Sequence, residues 1–187
     1  MIEYEAKVLA VEPAAVAERI LELGGARAGA RLQRRYVYDI TPGDPTRWLR
    51  LRDTGTAVTL TVKQIHHDGI DGTAETEVSV GDFEITHELL RQLGHTPKAY
   101  QENHRSSFTL NDAELEIDRW PGLPPYLEIE RTSRAHVLEV AALLGYQDLT
   151  TANTTELYAR QGIDLNSVPD LRFPEGQSSD GVSSRVS

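Results

Sequence analysis

Cysteine is absent from all 187 residues, which excludes disulfides, thiolate zinc sites and cysteine nucleophiles. Basic residues are scarce. The 19 Lys and Arg stand against 29 Asp and Glu, giving a net charge of -10 and a pI near 5.0. A general nucleic-acid or membrane-surface binder would carry the opposite balance, so neither partner is expected. No apolar run approaches the length of a membrane span. No basic segment followed by an apolar one opens the chain, so no secretory signal is expected and the cytoplasm is the default compartment. Aromatics make up only 6% of the chain. Tyr36, Tyr38, Trp48 and Trp120 read as packing or rim residues, and nothing marks an adenine pocket. The remaining composition, 39% hydrophobic and 26% charged, is that of an ordinary soluble domain with enough material for one core.

Local patterning divides the chain into short strands with helices set between them. Ile2 to Val8 alternates strictly: Ile2, Tyr4, Ala6 and Val8 face one way, and Glu3, Glu5 and Lys7 face the other. Pro13 opens a first helix with Val16, Ile20 and Leu23 on one face, ended by Gly24-Gly25. Strands are expected at 32–40, 48–52, 57–63, 73–80, 100–110, 113–118 and 126–130. Asp53 to Thr56 and Asn111-Asp112 serve as turns. His66 to Gly72 reads as a loop. His66 and His67 are adjacent on extended chain and point apart, which argues against a metal pair. Further helices are expected at 86–93, after Ser133, and at 154–161. The domain is placed at 1–165 and a disordered, Ser- and Gly-rich tail at 166–187. The spacing does not suit regular strand-helix-strand units, so an antiparallel α+β fold is favoured.

Charges of one sign recur strand by strand. Arg50 and Arg52 share a face, as do Glu75 with Glu77, Glu114 with Glu116 and Asp118, and Glu128 with Glu130. Lys63 lies with Thr59 and Thr61, and Arg105 sits between His104 and Ser106. A solvated sheet face is the simplest reading of any one strand. Taken together, the sorted signs suit a closed or nearly closed barrel with a polar lumen, because like charges two apart repel and need opposite charge between them. Acidic strands could hold a divalent cation through oxygen ligands, and basic strands the oxygens of a polyphosphate.

Glu3-Tyr4-Glu5-Ala6-Lys7 resembles the Glu-x-Glu-x-Lys signature of CYTH-domain proteins, the triphosphate tunnel metalloenzymes. Its order with Leu49-Arg50-Leu51-Arg52, Thr61-Val62-Lys63, Glu75-Thr76-Glu77, Arg105, Ile117-Asp118 and Leu127-Glu128-Ile129-Glu130 makes the resemblance more specific, over about residues 1 to 165. Asp118 followed by a loop ending in Gly122-Leu123 adds to it. The family includes class IV adenylyl cyclases, thiamine triphosphatases and inorganic tripolyphosphatases. The resemblance implies an eight-stranded antiparallel β-barrel, the triphosphate tunnel, with helices packed outside. It implies Mg2+ or Mn2+ held by Glu3, Glu5, Asp118, Glu128 and Glu130, and a small-molecule triphosphate gripped by Lys7, Arg50, Arg52, Lys63 and Arg105. Glu75 and Glu77 would be supporting tunnel acids. Glu5, Lys7 and Glu130 would be catalytic. One position departs from the pattern: Asn103 stands where the family often has Lys, with Lys98 or His104 as candidate replacements.

Three functions follow as expectations. The first is metal-dependent hydrolysis of tripolyphosphate, thiamine triphosphate or a nucleoside triphosphate. The second is a class IV adenylyl cyclase making cyclic AMP from ATP. The third is a non-catalytic polyphosphate-binding module, for which Asn103 is the best support. A homodimer stays open.

Overall fold

Alternating strands of this kind must bury their apolar face, and here they do so by curling into a barrel with its helices outside. The structure, a computed structural model, describes residues 2–67, 69–70 and 72–174, with the side chains of Ile2 and Glu3 outside that set. The strands are β1 (Ile2–Val8), β2 (Ala26–Asp39), β3 (Arg47–Asp53), β4 (Val58–Ile65), β5 (Thr73–Val80), β6 (Pro97–Leu110), β7 (Ala113–Arg119) and β8 (Tyr126–Arg131). Their order is β2-β3-β4-β5-β1-β8-β7-β6, and β2 pairs back onto β6 from Ala26↔Thr109 to Tyr38↔Pro97. That last pairing closes the circuit of eight antiparallel strands.

One seam is short. β1 and β5 share only Ile2↔Ala74 and Glu3↔Thr73. Further along β1, the Glu5 amide donates to the Ile70 carbonyl at 3.0 Å, and Lys7 exchanges backbone hydrogen bonds with Thr150 at 2.8 and 2.9 Å. The β4–β5 loop and the segment at 150 therefore satisfy the strand edge where β5 diverges.

Four helices cover the outside. α1 (Pro13–Glu22) and α3 (Arg134–Leu144) bury Val16, Ile20, Val137, Val140 and Leu144 against Ala6, Leu115, Ile117, Leu127 and Ile129. α2 (Phe83–Gln92) lays Phe83 and Leu90 on Tyr38, Leu49 and Leu51. α4 (Thr154–Arg160) packs Leu157 and Tyr158 with Trp120 and Tyr126 at one end of the barrel. Gly25, directly after α1, lets the helix sit close to the sheet: a Cβ there would come within 2.6 Å of the Ile20 side chain and 2.7 Å of the Thr109 carbonyl.

Some boundaries differ from those expected. β2 begins at Ala26 rather than 32, because Ala26 to Arg31 has little strand propensity and gains its place by pairing with β6. α2 begins at Phe83, capped by the Asp82 side chain, which accepts from the Ile85 amide at 2.8 Å. Packing also continues beyond 165. Leu165 and Leu171 are buried, and a short β9 (Asp170–Leu171) runs parallel to β6. The rest of the expected tail, 175–187, lies outside the described residues. No described helix is long and apolar enough to cross a membrane.

Candidate active site in the barrel lumen

The parity that buries Leu49, Leu51, Leu127 and Ile129 outside the barrel turns the intervening charged residues inward. They meet in one cavity of about 890 Å³. β1 contributes Glu5 and Lys7, β3 contributes Arg50 and Arg52, and β4 contributes Lys63. β5 adds Glu75 and Glu77, β6 adds Arg105, and β8 adds Glu128 and Glu130. Glu3 holds its strand position opposite Thr73, and its side chain lies outside the described set.

The ion pairs are sorted around the wall. Lys7, only 3% exposed, reaches Glu5 at 2.9 Å and Glu128 at 3.0 Å. Burial alone would push the Lys7 ammonium down; Glu128 and Glu5 more than offset it and hold the group well above its ordinary value. Burial would likewise raise the Glu128 carboxyl, but Lys7 and Arg105 hold it well below the usual carboxylate range. On β5, Glu75 binds Arg50 at 3.3 Å and also binds Lys63, while Glu77 lies 3.6 Å from Arg52 and accepts from the Thr61 hydroxyl at 2.6 Å. These two acids on β5 hold the bases of β3 and β4 in place.

Asp118 is fully buried behind the wall. Arg105 grips it with two hydrogen bonds, at 2.8 and 2.6 Å, and extends to Glu128 at 3.2 Å. Asn103 donates to Asp118 at 2.9 Å. Asp118 is thus placed as the anchor of Arg105. Lys98, at the cavity lining, pairs with Asp39 at 2.6 Å, and His104 packs on Phe173.

Register brings three carboxylates into one row. Glu5 on β1 lies opposite Glu130 on β8, which lies opposite Glu114 on β7. All three line the cavity. Like charges directly opposite each other are destabilising, and a hard cation with oxygen preference would relieve them, so this donor set fits Mg2+ or Mn2+. Among the described residues, no three acids are already drawn together around one point.

Several lumen residues escape a reading from motifs. Arg31, Gln33 and Arg35 of β2 line the cavity, as do Gln101 and Ser107 of β6 and Glu116 of β7. Burial raises the Glu116 carboxyl, against the pull of Arg105 and its bond from Ser107 at 2.7 Å. The signal for β2 was available in parity: positions 31, 33 and 35 alternate with the outward Leu32, Arg34 and Tyr36. One end of the cavity is walled by Thr151, Asn153, Thr154 and Thr155, before and within α4, which no strand pattern could indicate. His66 and His67 are exposed in the β4–β5 loop, as expected, with His67 at the cavity margin.

A family model for the CYTH domain matches residues 1–155. No curated protein matches the chain. Among solved structures, a conserved hypothetical protein from Pyrococcus furiosus is 24% identical with a TM-score of 0.71, over 83% of this chain and 99% of that one. A candidate adenylate cyclase from Vibrio parahaemolyticus is 15% identical with a TM-score of 0.69, over 85% and 98%. A candidate adenylyl cyclase from Hippeastrum, described as having a dominant triphosphatase activity, is 17% identical with a TM-score of 0.59, over 86% and 96%. At these identities the structural likeness speaks to the fold, while the family model covers most of the sequence. This chain belongs to the CYTH domain family.

Proposed function

We propose that this protein is a divalent-metal-dependent phosphohydrolase that cleaves a small-molecule triphosphate inside its barrel. The observation that carries the reading is that one cavity gathers Arg50, Arg52, Lys63 and Arg105 together with the carboxylate row of Glu5, Glu130 and Glu114. The arginine forks suit pairs of phosphate oxygens, and Lys63 supplies a compact charge. Glu75, Glu77 and Asp118 keep these cations oriented before substrate arrives, so little reorganisation is left for the reaction.

Glu5 and Glu130 would hold Mg2+ or Mn2+, with Glu3 on the same strand as Glu5, and that cation supplies Lewis acidity toward phosphoryl oxygens and neutralises their charge. Glu128 serves chiefly to fix Lys7 and Arg105. Lys7 is aimed at charge developing on the phosphoryl group, and Glu5 or Glu130 accepts the proton of the attacking water. The chemistry rests on positioning and electrostatics, with no covalent intermediate required.

The test is phosphate release from tripolyphosphate, thiamine triphosphate and ATP with Mg2+ or Mn2+, alongside an assay for cyclic AMP. Release that stops on chelation is expected with at least one substrate. Cyclic AMP and pyrophosphate from ATP without phosphate release would replace hydrolysis by cyclisation, and tight tripolyphosphate binding without turnover would make this a binding module.

A further inference from the structure

Four guanidiniums approach one another in this lumen, and one of them differs from the rest. Arg50 and Arg52 have Glu75 and Glu77, and Arg105 has Asp118 and Glu128. Arg35 on β2 is only 7% exposed and forms no ion pair among the described residues. Its Nη2 donates to the Asn103 side-chain carbonyl, its guanidinium lies 4.6 Å from the Trp120 ring centre, and its buried Nε, like that of Arg52, has no hydrogen-bond partner among the described residues. Asn103 is electrically neutral and entirely buried, and its amide nitrogen donates to Asp118. The chain of contacts is therefore Arg35 to Asn103 to Asp118, and Asp118 is already committed to Arg105.

A buried cation without a counterion is costly unless something supplies the missing charge. Burial first, then the nearby Arg50, Arg105 and Arg52, push the Arg35 guanidinium down to about 9. The surroundings thus disfavour a further positive charge at this point in the lumen. An anion placed between Arg35 and the neighbouring arginines would remove the conflict and meet the unpartnered Nε.

We propose that Arg35 forms a phosphoryl-binding subsite on β2, with Asn103 as the neutral residue that positions it. The proposal rests on the triphosphate reading above and adds to it where the cation lies that position 103 does not provide. The positive charge has moved one strand over, from β6 to β2, and these strands are paired with Gln33 opposite Asn103 and Arg35 opposite Gln101. Asparagine suits position 103 because its carbonyl accepts from Arg35 and its amide donates to Asp118. A lysine there would have no acceptor to offer Arg35 and would set a second cation against it.

The experiment measures inorganic tripolyphosphate binding by calorimetry, with thermal unfolding of each unliganded variant. Arg35→Gln is expected to weaken binding at least tenfold while the unliganded protein melts no lower than wild type, since an uncompensated charge has been removed. A residue with only a structural role would instead lower the melting temperature. Asn103→Lys alone should bring no gain in affinity, and Arg35→Gln/Asn103→Lys should recover at least threefold over Arg35→Gln, because the charge returns from the other strand. Arg52→Gln is the control for the tunnel itself. If Arg52→Gln weakens binding and Arg35→Gln stays within twofold of wild type, the β2 subsite is overturned and the triphosphate reading stands. If neither variant changes affinity, both fall together. A tenfold gain from Asn103→Lys alone would also overturn the proposal, as the cation would then have been missing. Arg35→Lys serves if Arg35→Gln does not fold: it retains the charge without the fork and should weaken binding at least threefold, and wild-type affinity in it counts against the subsite.

Discussion

Lys7 and Glu128 lie opposite each other on β1 and β8, and their charged ends meet at 3.0 Å inside the lumen. Both are almost fully buried, so each depends on the other for its charge. Glu128 ionises in the native protein well below its ordinary value near 4.5, which sets the sign of the pH effect. Between that value and the depressed one, the unfolded chain binds the proton that the native state refuses. The stabilisation is complete above about pH 4.5 and is lost as pH falls through the native value.

Glu128→Gln should lower stability at pH 7 by roughly 3 kcal/mol, because it leaves Lys7 and Arg105 short of a buried partner. It should also flatten the fall in stability below pH 4.5. Urea unfolding in chelator across pH 2.5 to 7 checks both. An acid limb as steep as wild type would show that Glu128 does not carry it.

Arg52 stands 3.6 Å from Glu77 at the basic wall. Arg52→Ala removes a charged donor worth about 1.5–3 kcal/mol, so tripolyphosphate should bind about 10- to 100-fold more weakly. Raising ionic strength should narrow the difference between variant and wild type only slightly, since the lumen is shielded from bulk salt. Calorimetry at two salt concentrations measures this.

Glu130 sits in the middle of the carboxylate row between Glu5 and Glu114. Glu130→Gln keeps the shape and removes one charge. The Mg2+ concentration needed for half-maximal rate should rise, and kcat should fall on the order of 100-fold, about 2.7 kcal/mol in barrier. Unchanged metal dependence would remove Glu130 from the metal-holding set.

Leu127 and Ile129 flank Glu128 but face outward, under α3. Leu127→Ala should cost about 2–5 kcal/mol of stability through lost burial and a cavity. Below the melting transition its KM for the triphosphate should match wild type. Melting curves and steady-state kinetics on the same sample separate the two faces of this one strand.

The shared faces of Glu5 and Lys7, of Arg50 and Arg52, and of Glu128 and Glu130 were legible in the chain alone, because a strand repeats every two residues and local alternation reveals which side chains travel together. The same periodicity placed α1 and α3 and their buried stripes. Register is not local. That Glu5 meets Glu130 and Glu114, that Arg105 takes Asp118, and that β2 returns to β6 to shut the barrel depend on pairings between residues far apart in the chain. The start of β2 at Ala26 and the packing of Leu171 arise in the same way, from partners that supply what weak local propensity does not. Position 103 is the sharpest case. Read along the chain, its asparagine is a missing cation; in three dimensions it is the neutral link between Arg35 and Asp118, because charge balance in a closed lumen is settled across strands rather than along them.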